Sequence, residues 1–164
     1  MSGIVGSLGS KSGVIGTTEI HYEEGTYEVT FAGFSGTCPT DTTRNTLAYT
    51  RIGNRCWVQG YARVADVTSP TGAMRINLPF TSAQNNRENE GNTWGHVVLE
   101  NIGSGNVGSG FDLQVAGLTT WGYIRKTGAG NTAANYESSA SSFIDYTNAT
   151  FGFSYNISTF DHLV

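Results

Sequence analysis

Hydrophobic and polar positions alternate with a period of two along most of this chain. The stretch from Leu47 to Ala65 shows it most clearly. It reads as two strands joined at Gly53-Asn54, because glycine takes the positive-φ position of a two-residue hairpin loop without steric cost. If those two residues form the loop, Ile52 faces Arg55, Tyr49 faces Val58 and Leu47 faces Gly60. Cys56, Val58, Gly60, Ala62 and Val64 then share one small, apolar face with Leu47 and Tyr49. The opposite face carries Trp57, Gln59, Tyr61 and Arg63. The two strands, read separately, agree on which face is the core.

The same period recurs elsewhere. Tyr27, Val29 and Phe31 alternate with Thr26, Glu28 and Thr30. A short strand is expected from Ala73 to Leu78, and another around Val97 and Leu99. Phe111, Leu113 and Val115 alternate with Asp112 and Gln114, and Trp121, Tyr123 and Arg125 with Gly122 and Ile124. A short strand is expected through Phe143 to Tyr146. Phe151, Phe153, Tyr155 and Ile157 mark the last. Loops are expected at Gly33 to Thr43, residues 81 to 93 and Thr127 to Asn135, with a turn at Thr68 to Gly72. No window holds a 3.6-residue period with caps. Eight or nine strands separated by turn signals predict an all-β fold, a two-sheet antiparallel β-sandwich of jelly-roll type.

Composition narrows the picture. The 164 residues suit one domain. Charged residues make up 13% of them, against roughly 25% in ordinary globular proteins, and with 22 glycines the composition is turn-rich and β-type. The formal charge of −4 argues against a nucleic-acid partner, which needs a basic stripe. No stretch approaches the ~20 apolar residues of a membrane span, so no membrane insertion is expected. The start lacks the pattern of a secretion signal, which points to a cytoplasmic origin. Two cysteines, Cys38 and Cys56, bound little. Cys56 falls on the inward face.

Residues 1–20 form a separate Gly-rich unit ahead of the sandwich at 21–164. Ser2-Gly3-Ile4-Val5-Gly6-Ser7 returns as Ser12-Gly13-Val14-Ile15-Gly16-Thr17. Such a segment has no periodic face and pays heavily in backbone entropy to become ordered. It reads as a docking segment, with Ile4-Val5 and Val14-Ile15 as apolar plugs, or as a plain leader.

Catalytic signatures are missing. There is no phosphate-binding loop, no GxSxG and no HExxH. His21, His96 and His162 lack metal-ligand spacing, and Glu23 and Glu24 point to opposite faces of a strand. No enzyme activity, cofactor or metal is expected. Trp57, Gln59, Tyr61 and Arg63, then Trp121, Tyr123 and Arg125 with Trp94, are the candidate recognition residues. Aromatics flanked by amide and guanidinium groups suit a sugar or a protein interface, and they also suit packing beneath a second sheet.

Several short motifs resemble a known family. Gly9 to Glu19, GSKSGVIGTTE, is similar to a motif common in tailed-phage virion proteins, especially those of marine phages. It runs into Tyr22-Glu23-Glu24-Gly25-Thr26-Tyr27, similar to that family's YEEGTW. Ala48 to Asn54 resembles its YTKIGN hairpin, and Asn77 to Thr81 its LPF strand end. The family usually continues Glu-Gly-Thr with Trp-Thr-Pro. Here Tyr27-Glu28-Val29 follows, which predicts an unbroken strand. The resemblance implies a virion structural protein assembled in the host bacterial cytoplasm. It implies a homotrimer joined to other virion proteins of capsid or tail, as a capsid decoration, head fibre or short tail fibre, with a host-surface glycan as a further partner. Because this module makes up almost the whole chain, a compact appendage is expected over a long fibre. The alternative is a free carbohydrate-binding module.

Overall fold

The structure is a computed structural model and describes residues 21–33, 35–84, 93–103, 110–127 and 142–158. The proposed plugs Ile4, Val5, Val14 and Ile15 lie outside these residues. Among the described residues there are eleven strands: β1 (Tyr22–Glu28), β2 (Phe31–Ala32), β3 (Ser35–Thr37), β4 (Thr46–Ile52), β5 (Arg55–Arg63), β6 (Thr68–Thr71), β7 (Met74–Asn77), β8 (Thr93–Glu100), β9 (Gly110–Val115), β10 (Trp121–Thr127) and β11 (Asn148–Asn156). Nine form one antiparallel sheet in the order β1-β4-β5-β11-β8-β9-β10-β7-β2, while β3 and β6 pair separately.

The chain's own path requires that sheet to curl. Strands β1 and β2 sit at its opposite edges, yet only Val29 and Thr30 separate them. Three Cα steps reach at most about 11 Å, so the two edges must approach each other. Asn77 staples the seam: its Oδ1 accepts from the Thr30 amide at 2.7 Å, and its Nδ2 donates to the Glu28 carbonyl at 3.0 Å. The two halves of the curled sheet face each other across the core as a β-sandwich. Phe31 on the edge strand β2 stands 6.3 Å ring to ring from Phe151 on β11. The Tyr155 hydroxyl donates to the Phe80 carbonyl at 3.0 Å across the same interior.

The central hairpin has the register expected from its alternation: Leu47 pairs Gly60, Tyr49 pairs Val58 and Ile52 pairs Arg55. Gly53 opens the turn with φ of +59°, in the left-handed region that a side chain disfavours. Leu47, Cys56, Val58, Ala62 and Val64 are buried, as are Phe151, Phe153 and Tyr155 on β11 and Ile157 just after it. Gly95 marks a close approach between β8 and β11. A Cβ placed there would lie 3.0 Å from the Cα of Phe153, and nearer still to its Cβ.

Four local expectations differ from the structure. The unbroken strand at Tyr27 to Phe31 is divided, because Val29-Thr30 carries the chain from one sheet edge to the other. The expected loop at Gly33 to Thr43 contains β3, and the expected turn at Thr68 to Gly72 contains β6. The two small strands pair only with each other, which is how Pro70 is accommodated without a ladder on both sides. Phe143 to Tyr146 is a turn, with Tyr146 at φ of +64°. Phe143 is buried there against Phe31, at 5.8 Å, so its apolar character reflects a plug in the core. Short strands and one split strand account for eleven strands among the described residues, against the eight or nine expected.

Candidate functional site

The pleat turns alternate residues outward, so Trp57, Gln59, Tyr61 and Arg63 of β5 share the outer face of the sheet with Trp121, Tyr123 and Arg125 of β10. The structure does not bring the two groups together. Strands β11, β8 and β9 lie between them.

On β5, Trp57 is 44% exposed. Its cross-strand partners are Thr50 on β4 and Ser154 on β11, and those of Gln59 are Ala48 and Gly152. With such small neighbours, Trp57 stands proud of its surroundings. A groove of about 310 Å³ runs beside it, lined by Ala48, Tyr49, Thr50, Ile52, Trp57 and Gln59. Tyr61 is partly tied down, its hydroxyl donating to Asn148 Oδ1 at 2.7 Å.

Arg63 is bound more firmly. Its Nε donates to Asp41 Oδ2 at 2.8 Å, a second nitrogen pairs with the same carboxylate, and its guanidinium lies 5.3 Å from the ring centre of Tyr146. Asp41 also accepts from the Thr43 hydroxyl at 2.7 Å and amide at 2.9 Å. The two Thr43 hydrogen bonds, and then Arg63, hold the Asp41 carboxyl down at about 2. Arg63 thus clamps the 41–44 turn to the end of β5.

On β10 the aromatics are covered. The Arg75 guanidinium sits 4.3 Å from the ring centre of Trp121, and that of Arg125 lies 5.1 Å from Tyr123. Arg125 Nε donates to Gln114 Oε1 at 2.7 Å. Each ring is half-buried beneath a cation.

The fold resembles a segment of the Dettilon tailspike protein (gp208). The crystal structure of that protein matches with a TM-score of 0.64 at 14% identity, over 82% of this chain and 24% of the tailspike. The chain thus spans about a quarter of that protein's length, and what the two share at this identity is the fold. No protein-family model and no curated protein matches the chain.

At one end of the interior, Arg51 is buried, donating from Nε to the Gly53 carbonyl at 3.0 Å and lying 3.5 Å from Glu23. Tyr49 donates to the same Glu23 at 2.8 Å. Cys38 and Cys56 are free and buried. Burial pushes the Cys38 thiol up to about 12 and Cys56 up to about 11, so neither offers a thiolate at neutral pH. Among the described residues, no group of three His, Cys, Asp or Glu is placed to hold a metal, and no helix is long and apolar enough to cross a membrane.

Sequence reasoning missed how β8 joins the β5 face. Trp94, His96 and Val98 are all exposed, and His96 pairs Gly152 while Val98 pairs Thr150 on β11. Their alternation with Gly95, Val97 and Leu99 was a readable signal for their face. Their nearness to Trp57 depends on strand order, which alternation does not encode.

Proposed function

We propose that this chain is a non-enzymatic structural module of a phage particle, a trimeric tail- or head-associated appendage attached through its N-terminal segment. The observation that carries the reading is the correspondence of its fold, over 82% of the chain, with a segment of a tailspike. The motifs at Gly9 to Glu19 and Ala48 to Asn54 support it. Copies meet through the outer face of β10 and β7, where Trp121, Tyr123, Arg125 and Arg75 form rigid stacks of the residue types that dominate protein interfaces. The segment 1–20 forms the attachment, with Ile4-Val5 and Val14-Ile15 docking on another virion protein. Three copies acting together offset the entropy each segment loses on docking.

Size-exclusion chromatography with light scattering tests this reading. A trimer is expected, weakened by Trp121→Ala or Tyr123→Ala, and a monomer at every concentration overturns it in favour of a free binding module. Deletion of residues 2–17 is expected to leave the sandwich folded by circular dichroism but absent from purified particles. Normal incorporation would remove the docking role from that segment.

A further inference from the structure

The outer face of β11 is a floor between two walls. Along it, Thr150, Gly152 and Ser154 point outward, all small. One wall is β5, with Trp57, Gln59 and Tyr61 in register with Ser154, Gly152 and Thr150. The other is β8, with Val98 opposite Thr150 and His96 opposite Gly152. Trp94 stands two residues before His96 and is 50% exposed. Neighbouring strands lie about 4.8 Å apart, so the two walls rise roughly 10 Å from each other across β11. A Cβ built on Gly152 meets nothing within 4 Å, so the centre of the trough is open among the described residues.

Its ends are closed by side chains already engaged. At the tryptophan end, Arg55 donates to Ser154 Oγ at 2.6 Å and to Asn156 Oδ1 at 3.2 Å. At the other end Tyr61 reaches across to Asn148. Between them the lining, among the described residues, holds no carboxylate, lysine or arginine. Its sides carry two exposed indoles, an amide, an imidazole and small hydroxyls. The Gln59 amide and the His96 imidazole engage no other side chain among the described residues.

We infer that the trough along β11, between Trp57-Gln59 on β5 and Trp94-His96 on β8, binds a short segment of uncharged glycan. A sugar ring is apolar on its C–H faces and polar at its rim. The indoles suit the faces. Gln59 and His96 suit the rim hydroxyls, in the arrangement of a mostly apolar site with a few placed polar groups. A charged polymer would find no counter-charge along the middle of the trough. A second protein chain would find a strip too narrow to bury a stable interface by itself. The inference rests on the module reading only for the source of the glycan, an outer bacterial surface.

The test is binding of the full chain to an array of uncharged bacterial surface oligosaccharides. Titration of the best array compound then follows, with light scattering on every variant. Gly152→Gln fills the open floor where the backbone has space for a side chain. It is expected to stay folded and trimeric and to bind about tenfold or more weakly. Trp94→Ala is expected to lose a similar factor, while Thr68→Ala, exposed on β6 of the separate two-stranded sheet, binds as the parent does. If no uncharged oligosaccharide binds, or if Gly152→Gln binds as tightly as the parent, the inference falls. If Gly152→Gln dissociates the trimer, the trough is a subunit contact and the inference falls as well. A monomeric parent that binds glycan through this trough would uphold the inference while overturning the trimeric appendage.

Discussion

The β5 and β10 segments carry similar outward patterns, two aromatic residues followed by an arginine two positions after the second, yet they make different surfaces. Trp57 stands among Thr50, Ser154, Ala48 and Gly152, and stays exposed. Trp121 and Tyr123 have Asn77 and Arg75 across the pair with β7, and guanidinium groups lie over both rings. The difference lies in the neighbours. Small cross-strand partners leave an aromatic free to meet a ligand. Long cationic neighbours cover it and hold its ring in place. Arg63 and Arg125 diverge in the same way, one clamping a turn through Asp41 and the other stacking on its own strand.

Both surfaces depend on the inner face beneath them, and breaking that support has the largest effect. Val58→Asp places a carboxylate in the core opposite Tyr49, at a cost of several kcal/mol. Loss of the folded circular-dichroism spectrum is expected. Gln59→Asp, one residue along and exposed, is expected to change the urea-unfolding free energy by no more than about 1 kcal/mol. A reversed pattern would show that the two faces are exchanged.

Two glycines of the β8–β11 ladder sharpen the contrast between inside and outside. Gly95→Ala drives a methyl group into Phe153 and is expected to destabilise by about 1–3 kcal/mol in urea unfolding. Gly152→Ala on the outer face has open space and is expected to be neutral or slightly stabilising, since alanine suits a strand better and restricts the unfolded chain. Equal effects would mean that β11 does not present these faces as described.

The covered half separates from the open half in a smaller measurement. Arg75→Ala strips the guanidinium from Trp121 and is expected to lower stability by about 1 kcal/mol. Trp57→Ala, whose ring covers little, is expected to stay within about 0.5 kcal/mol of the parent. A larger loss from Trp57→Ala than from Arg75→Ala would abolish the distinction.

The smallest effect concerns the arginine clamp at the end of β5. Folding holds the Asp41 carboxyl at about 2, below its ordinary 3.8. The folded state therefore favours the ionised form. That contribution is complete above the unfolded value and is lost as pH falls from about 3.8 towards 2. In thermal melts between these limits, Asp41→Asn is expected to flatten the acid dependence of Tm relative to the parent. An unchanged slope would mean that the clamp does not couple folding to protonation.

Alternation alone determined the central hairpin. The pleat ties side-chain direction to position, so the pairing of Leu47 with Gly60 and the burial of Val58 were legible residue by residue. So was the outward placing of Trp57, Gln59, Tyr61 and Arg63. For the same reason the all-β class and the core face of β11 could be read directly. Tertiary structure decided what stands beside what. A strand that crosses between sheet edges shows the same alternation as one that continues, so the break at Val29-Thr30 was invisible. The pairing of β3 with β6, and Phe143 as a core plug instead of a strand residue, were hidden for a related reason. Half of the trough was legible as the Trp57 face. The other half, Trp94 and His96 across Gly152, follows from β11 inserting between β5 and β8. That order reflects the free energy of closing one curled core, a property of the whole chain that no local window contains.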